Sequence, residues 1–447
     1  MRTVAAVSTP KGKGGVALIR VSGDDAIAIA EKVTSRPLAD VTANRTVHTL
    51  FVQDGQPFDD GMATVFRAPR SFTGEDTVEL CCHGGLLVTQ KLLTAVFAAG
   101  AFPAGPGEFT RRAFQNGKLT LSQAEAVGGI IDAKSERFLT VSLLQCKGSL
   151  SAKLSEMCDS LRFLIASMYA FIDYPDEDMT DVSPDELKVR LRTLLSETEA
   201  LCRSHNYGKA ISEGIRTVIV GKPNTGKSAL LNLLAGEERA IVTDIAGTTR
   251  DVVREQVKLG DLLLNLSDTA GVRETEDKVE QIGVRRSVEA LEQAELVFAV
   301  FDGSKPSDAE DEEVVSLIRA HGKEAVTVCV MNKSDLGTAA EPPFADAVRV
   351  SATKGTGVPE LEAAVRRKCE ITEQTDMGEI ITGARQFAAL TKVKEHLKNA
   401  LTSLEGFTQD LAGLDMEQAL QALYEADGRE VSEDIVNEIF SHFCVGK

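Results

Sequence analysis

One eight-residue segment, Gly221-Lys-Pro-Asn-Thr-Gly-Lys-Ser228, constrains the fold of this chain more than any other part of the sequence. It follows a β-prone run, Ile215–Val220, and precedes an apolar segment with helical spacing that begins near Ala229. This strand–loop–helix order is the setting in which the pattern G-x-x-x-x-G-K-[ST] binds phosphate, because backbone N–H groups at the helix start face the anion. A glycine-rich turn before a helix is the weaker interpretation once both flanks are considered. The sequence therefore predicts a phosphate-binding loop in a doubly wound α/β domain.

Three further segments follow in the order that a guanine-nucleotide site requires, each at the end of a predicted strand. In Asp268–Gly271 (DTAG), Asp268 can hold Mg²⁺ through water, and the last N–H can sense the γ-phosphate. In Asn332–Asp335 (NKSD), the carboxylate of Asp335 can accept two hydrogen bonds from the guanine edge, whereas adenine would leave it unpaired. In Ser351–Lys354 (SATK), backbone donors can reach the guanine carbonyl. Each segment alone could be a surface turn, but the four motifs in order predict a GTP site.

These motifs define the expected nucleotide contacts. Lys227 would reach the β and γ oxygens, and Mg²⁺ would be held by Ser228, Thr249 and Asp268. The predicted GTP-binding residues are Asn224, Thr225, Gly226, Lys227, Ser228, Ala229, Thr243, Thr249, Asp268, Thr269, Ala270, Gly271, Asn332, Lys333, Asp335, Ser351 and Ala352.

The residue that follows Asp268–Gly271 bears on hydrolysis, because many small GTPases place a glutamine there to orient the attacking water. Here it is Val272, which cannot orient water. Another group must therefore orient the water and supply the positive charge that an arginine finger usually brings. Asn224 and the segment Asp244–Asp251 are where we expect it.

Composition restricts the compartment and the partners. The apolar runs are strand-sized and the N-terminus has no signal-peptide pattern, so we expect no membrane contact. Eight cysteines without a CxxC pair indicate reduced thiols in a cytoplasmic protein. The net charge of −18 is carried by the residues after 118. Any contact with a nucleic acid should therefore be local, transient or shared with a more basic partner.

Sequence periodicity predicts a multidomain protein with α/β and α parts. Strands Val4–Ser8 and Val16–Val21 and a helix Leu86–Ala99 indicate a mixed α+β domain at the N-terminus. Helical spacing appears on both sides of the α/β domain, over Leu121–Met168, Leu187–Leu201, Gly383–Leu404 and Met416–Phe440. This arrangement suggests a GTPase domain inserted into a helical bundle. The predicted domains are residues 1–118 (N-terminal), 119–213 (helical, first part), 214–372 (GTPase) and 373–447 (helical, second part).

Longer blocks of the sequence resemble one known family, the MnmE (also called TrmE) tRNA modification GTPases. The resemblance rests on Phe72–Gly85 (FTGEDTVELCCHGG), Gly107–Ala126 (GEFTRRAFQNGKLTLSQAEA), the GKPNTGKS, GTTRD, DTAG and NKSD motifs, and Phe443–Lys447 (FCVGK). It covers essentially the whole chain. The departures are minor and remove no candidate catalytic group; they are Gln115, Thr120 and Val445.

The resemblance implies how GTP would be hydrolysed. Potassium would stand in for the arginine finger when two GTPase domains face each other. The residues that match the potassium site of the family are Asn224, Thr243, Ile245 and Thr248. Glu280 matches the glutamate that orients the catalytic water indirectly.

The resemblance also implies that residues 1–118 form a dimerising domain similar to one-carbon folate enzymes. Its ligand would be 5-formyl- or 5,10-methylene-tetrahydrofolate, and the candidate contacts are Arg20, Glu79, Arg112, Lys118 and Lys447. For each of these charges a surface or fold-holding role is an equal alternative. Cys444 resembles the family cysteine needed for the modification reaction, although a cysteine in such a position can also be incidental.

Together these features predict an enzyme that acts as a homodimer. GTP hydrolysis would drive opening and closing of paired domains, coupled to modification of carbon 5 of the wobble uridine in certain tRNAs. A partner similar to MnmG, carrying FAD and NADH, would help to add an aminomethyl or carboxymethylaminomethyl group. Two alternatives are a ribosome-assembly GTPase, which usually has a basic RNA-binding appendage, and a switch without chemistry of its own.

Overall fold

A computed structural model describes residues 2–10, 12–173, 184–237, 255–267, 288–322, 325–372, 376–406 and 409–447. They form two compact units. The first unit comprises Met1–Gly128, Cys146–Ser151 and Asp427–Lys447. The second comprises Gly129–Gln145 and Ala152–Ala426. In this part of the chain, no helix combines the length and apolarity needed to cross a membrane.

The first unit is built on a six-stranded sheet in the order β3-β4-β5-β2-β1-β6, antiparallel except for the β1–β6 pair. Its strands are β1 (Val4–Val7), β2 (Val16–Ser22), β3 (Arg45–Gln53), β4 (Gln56–Phe66), β5 (Thr77–His83) and β6 (Phe102–Pro103). Buried and partly exposed residues alternate along β2 and β5, which is the pattern of strands with one covered face. The covering helices are Ala26–Lys32 and Leu86–Ala98. The predicted N-terminal strands and helix are confirmed to within one residue at each end.

The second unit contains a six-stranded sheet in the order β12-β11-β10-β7-β9-β8. Its strands are β7 (Ile215–Val220), β8 (Glu255–Leu259), β9 (Leu262–Ser267), β10 (Leu296–Asp302), β11 (Val326–Asn332) and β12 (Val348–Arg349). All neighbours are parallel except β8 and β9. Residues 296–301 of β10 are all buried, as expected for a central parallel strand covered on both faces. Helices of this α/β part are Lys227–Glu237, Ala309–His321 and Val358–Lys368. The doubly wound α/β fold is confirmed.

Helices occupy the sequence on both sides of this sheet. They are Glu108–Gln115, Leu121–Asp132, Glu136–Cys146, Ser149–Asp173, Pro184–Ser212, Ala384–Glu405, Gln409–Asp427 and Glu433–Ser441. Pro184–Ser212 packs against Ala384–Glu405. Up to residue 201, its buried positions follow a spacing of three and four residues and are Leu187, Leu191, Leu194, Thr198 and Leu201. The α/β segment is therefore inserted between two helices that pack on each other.

Two predicted helical stretches are interrupted. Leu121–Met168 forms three helices, and Met416–Phe440 is divided between two. The second break in Leu121–Met168 contains Gly148, with a left-handed φ of 96°. The single break in Met416–Phe440 contains Gly428, with a left-handed φ of 86°. Glycine adopts this conformation without the penalty that a β-carbon imposes, which explains why these helices end there.

Candidate guanine-nucleotide site

The phosphate loop connects β7 to the helix Lys227–Glu237, as the sequence predicts. A β-carbon added to Gly221 would lie 2.3 Å from the carbonyl oxygen of Val300. One added to Gly226, where φ is 94°, would lie 2.1 Å from Nδ2 of Asn332. Both motif glycines are therefore required by close approach of neighbouring groups, and Gly226 also by its backbone conformation.

Lys227 closes the loop on itself. Its Nζ donates to the carbonyl oxygens of Gly221 and Lys222, both at 2.8 Å. Burial lowers the pKa of this ammonium, and no carboxylate from the described residues offsets the effect. A half-buried cation bonded only to neutral carbonyls can gain from a phosphate oxygen, since a charge-assisted hydrogen bond is the stronger one.

Asn332 ties the loop to the base-recognition motifs. It ends β11 and is buried, with 2% of its surface exposed. Its Nδ2 donates to the carbonyl oxygen of Thr225 at 2.9 Å, and its Oδ1 accepts from the backbone N–H of Ala352 at 3.1 Å. In the same turn, Ser351 Oγ donates to Oδ1 of Asp335 at 2.6 Å. The amide of Asn332 thus joins the phosphate loop to the turn expected to receive guanine.

Lys333 makes a second link to the loop. Its Nζ donates to the carbonyl oxygen of Asn224 and to Oδ2 of Asp302, both at 2.7 Å. Asp302 ends β10 and also accepts bonds from the backbone N–H and hydroxyl of Ser304. Burial alone would raise the pKa of Asp302, but the hydrogen bonds from Lys333 and Ser304 outweigh it and lower the pKa to about 2. Asp302 is therefore a buried anion that fixes Lys333.

The peptide orientation in the loop follows from these contacts. Carbonyl oxygens at Asn224 and Thr225 are held by side chains of the NKSD motif. In a trans peptide the carbonyl and the following N–H point in opposite directions. The next N–H groups therefore face away from the NKSD motif, as a concave anion-binding loop requires.

The predicted contacts fall into three groups. Thr225 is buried, and its hydroxyl donates to the carbonyl oxygen of Lys222 at 3.0 Å. The side chains of Asn224, Ser228 and Asp335 are exposed, and Asn224 has a left-handed φ of 63°. The remaining predicted residues, which lie outside the described residues, are Thr243, Ile245, Thr248, Thr249, Asp268, Thr269, Ala270, Gly271 and Glu280.

The sequence analysis did not single out two residues of this site. They are Asp302, which holds Lys333, and Lys222, whose carbonyl oxygen accepts from Lys227. Asp302 had a usable signal, since it is the polar last residue of an apolar strand, as Asn332 is in β11. Lys222 occupies an unspecified position of the loop pattern and had no such signal.

In the first unit, Arg20 and Glu79 face each other on β2 and β5. Arg20 donates from Nε and Nη2 to Oε1 of Glu79 at 2.9 and 2.7 Å. Its guanidinium lies 5.6 Å from the ring centre of Phe72 and 5.4 Å from that of Phe109. The pair is partly exposed, at 18% and 22% of the two side chains. It therefore combines an accessible ion pair with two aromatic rings.

Arg112 and Lys118 have different surroundings. Arg112 is buried and donates to Oε2 of Glu75 at 2.9 Å and to Oε1 of Glu108 at 3.0 Å. It also donates to two backbone carbonyls. Lys118 donates to the carbonyl oxygen of Pro69 at 3.0 Å. For Arg112 this environment favours the fold-holding alternative over a ligand contact, because its donors are already used inside the unit.

The last residues of the chain dock on the first unit. The backbone N–H of Gly107 donates to the carbonyl oxygen of Cys444 at 3.3 Å, and that of Phe109 to the carbonyl oxygen of Lys447 at 2.9 Å. Ser8 Oγ donates to the carbonyl oxygen of Gly446 at 2.9 Å. Among the cysteines, all of which are described, Cys444 alone is exposed. The backbone N–H of Phe109 thus bonds to the tail, residues Cys444–Lys447, and its ring lies against Arg20. The exposed thiol of Cys444 therefore belongs to a segment docked beside the Arg20–Glu79 pair.

Family models match nearly the whole chain. Residues 3–118 match a model described as the GTP-binding protein TrmE N-terminus, and residues 121–444 match the MnmE helical domain. Two curated relatives are tRNA modification GTPases named MnmE. The protein of Thermotoga petrophila is 40% identical over 462 residues, covering 100% of each chain. That of Moorella thermoacetica is 42% identical over 467 residues, covering 100% of this chain and 99% of its own. A solved structure of the Era GTPase of Aquifex aeolicus, bound to GDP and AlF4⁻, is 27% identical over 40% of this chain and 65% of its own, at a TM-score of 0.27.

Proposed function

The chain belongs to the MnmE family of tRNA modification GTPases, and we propose that it hydrolyses GTP to drive modification of carbon 5 of the wobble uridine in certain tRNAs. The group added would be aminomethyl or carboxymethylaminomethyl. The observation that carries this proposal is the assembled guanine-nucleotide site within a chain that matches the family from residue 3 to residue 444.

The chain is a GTP hydrolase, and its own residues explain how guanine would be chosen. Asp335 is held at one oxygen by Ser351 and is otherwise exposed, so it can accept hydrogen bonds from the guanine edge. An adenine at this place would leave the carboxylate unpaired once the ligand excluded water. The phosphate loop, linked to the same motif through Asn332, would receive the β- and γ-phosphates.

The proposal includes two metal ions, each with one candidate ligand among the described residues. Mg²⁺ would be held by Ser228, whose exposed hydroxyl stands at the helix start, together with Thr249 and Asp268. Potassium would be held by Asn224, whose exposed side chain lies on a left-handed backbone, together with Thr243, Ile245 and Thr248. Both ions would supply positive charge at the transferring phosphoryl group. Glu280 would orient the water that Val272 cannot.

In this proposal the first unit binds the one-carbon donor, 5-formyl- or 5,10-methylene-tetrahydrofolate. Arg20 and Glu79 present a donor and an acceptor between two aromatic rings, which suits the edge and faces of a pterin. Lys118 and Lys447 could pair with the carboxylates of a folate tail. Arg112 would not contact the folate but would stabilise the first unit through its bonds to Glu75 and Glu108. Cys444 would take part in the modification reaction from the docked tail.

Partners follow from the same proposal. Two copies of the chain would form a homodimer and bring their GTPase parts face to face. An MnmG-like protein with FAD and NADH would complete the reaction on tRNA. The net charge of −18 supports binding of tRNA together with the partner protein rather than by this chain alone, because contacts to phosphates need positive charge. We place the reaction in the cytoplasm.

Mass spectrometry of tRNA nucleosides tests this function. Cells lacking the chain would be compared with cells re-supplied with the parent chain, with Cys444→Ser or with Cys146→Ser, a matched control at a partly buried cysteine. We expect the modified wobble uridines to vanish, return with the parent and the control, and stay absent with Cys444→Ser. An unchanged nucleoside profile would overturn the modification proposal and direct attention to ribosome assembly.

A further inference from the structure

Lys222, the second residue of the phosphate loop, is attached to the helix Ala309–His321. Its Nζ donates to Oδ2 of Asp308 and, at 2.9 Å, to Oδ2 of Asp311. The lysine side chain is only 15% exposed. The loop pattern leaves this position unspecified, so phosphate binding in itself does not explain the contact.

The two aspartates are also held by hydrogen bonds that do not involve Lys222. Asp308 is the N-cap of the helix and accepts from the backbone N–H of Asp311 at 3.2 Å. Asp311 in turn accepts from the backbone N–H of Asp308 at 3.2 Å, which completes a capping box. Such a pair is a fixed anchor, because both carboxylates are tied to the first turn of a helix.

The main chain of Lys222 is as constrained as its side chain. Its carbonyl oxygen accepts from Nζ of Lys227 at 2.8 Å and from the hydroxyl of Thr225 at 3.0 Å. The Lys227 ammonium has three N–H donors and uses two on Gly221 and Lys222, so it can reach a phosphate with its third donor or by exchanging one carbonyl. The first half of the loop then keeps the ion pairs of Lys222, while the second half keeps Asn332 and Lys333.

We propose that Lys222 is a positioning residue for nucleotide binding: its ion pairs with Asp308 and Asp311 hold the first half of the phosphate loop in place when Lys227 shares its ammonium with the ligand. A loop fixed at both halves has less freedom to lose when it binds phosphate. The role rests on the GTPase activity alone and is independent of tRNA modification.

Nucleotide titration of purified full-length variants tests this role. We expect Lys222→Met to weaken binding of fluorescent GDP and GTP by about tenfold, since charge-assisted hydrogen bonds are lost. KM for GTP should rise by a similar factor while kcat changes by less than about threefold. Lys222→Arg should restore most of the affinity, because arginine can reach the same carboxylates.

Two further variants separate positioning from folding. Lys305→Met removes an exposed lysine that lies three residues before Asp308, and it should leave the affinity for GDP and GTP unchanged. Asp308→Asn keeps a good N-cap residue but removes a carboxylate charge from the anchor, so it should weaken GDP binding without unfolding the helix. GDP affinity of Lys222→Met within twofold of the parent, or an equal loss in Lys305→Met, would overturn the proposal. If Lys222→Met does not fold, unchanged affinity in Asp308→Asn would overturn it instead.

Discussion

The side-chain amide of Asn332 donates to the carbonyl oxygen of Thr225 at 2.9 Å, although the two residues are 107 positions apart in the chain. A residue of the base-recognition motif therefore also sets the shape of the phosphate loop. In the proposed site, base and phosphate recognition would be coupled through this one buried amide, and the coupling can be measured.

Asn332→Ala should impair both halves of the nucleotide site. It removes two hydrogen bonds and leaves the Thr225 carbonyl and the Ala352 N–H without this partner, which costs about 2 kcal/mol. We expect affinity for GDP to fall by about 30-fold in a fluorescence titration. Leu336→Ala, at an exposed side chain of the same segment, is the matched control. Equal affinities for Asn332→Ala and the control would contradict the coupling.

Asp335→Asn should change which base is bound. Asparagine cannot accept two hydrogen bonds from guanine in the way that a carboxylate can, so GDP affinity should fall by at least about 100-fold. Xanthine presents a carbonyl oxygen where guanine has its amino group, and it should recover binding to the variant. Competition of GDP and xanthosine diphosphate against a fluorescent nucleotide measures both effects. A variant that keeps its preference for GDP would show that Asp335 does not contact the base.

Lys333→Met should alter the acid stability of the α/β part. The pKa of Asp302 is depressed to about 2, so its contribution to the free energy of unfolding is present above its usual pKa and is lost as pH falls toward 2. Without Lys333, part of a contribution of about 2 kcal/mol should be missing at pH 7. The variant should then lose less stability between pH 4 and pH 2.5 than the parent. Thermal unfolding over this range checks it, with Lys305→Met as control; parallel pH curves would refute the assignment.

Arg112 and Arg20 should separate stability from ligand binding. Arg112→Met leaves Glu75, whose side chain is 10% exposed, and the partly exposed Glu108 without this partner, so the first unit should lose about 3 kcal/mol of stability. Arg20→Met removes a partly exposed pair and should lose about 1 kcal/mol or less. Arg20→Met should instead weaken binding of 5-formyl-tetrahydrofolate in calorimetry. Weaker binding in Arg112→Met at unchanged stability, with full binding in Arg20→Met, would show that Arg112 is the ligand contact.

A tryptophan reporter can test docking of the tail. The chain contains no tryptophan, and Val445 is 56% exposed, so Val445→Trp adds a single fluorophore beside Cys444. Gly446 has φ 99°, and an added β-carbon would lie 2.2 Å from the carbonyl oxygen of Val7. Adding Gly446→Val should therefore release the tail and lower the anisotropy of the reporter. Gly236→Val is the control, because an added β-carbon there would meet no neighbour among the residues that the structure describes.

The order of the nucleotide motifs could be predicted from sequence, because each motif is a short segment fixed to the end of one strand. The ion pairs that hold them could not. Lys222 and Asp308 are 86 positions apart, and only the folded sheet brings them together. The same limit applies to Arg112, whose burial depends on strands and a helix from distant parts of the first unit. The breaks at Gly148 and Gly428 show that an amphipathic pattern persists across a turn that interrupts a helix.

The docked tail has a consequence for the order of events during synthesis. Most of the first unit is translated before the second unit, yet Asp427–Lys447 belongs to the first unit as well. Until those residues emerge, the backbone N–H groups of Gly107 and Phe109 lack the acceptors that they have in the finished protein. The N-terminal sheet can form early, but the surface that receives the tail must wait for the second unit to be translated. Docking of the segment that carries Cys444 is thereby postponed until the residues of the second unit have been translated.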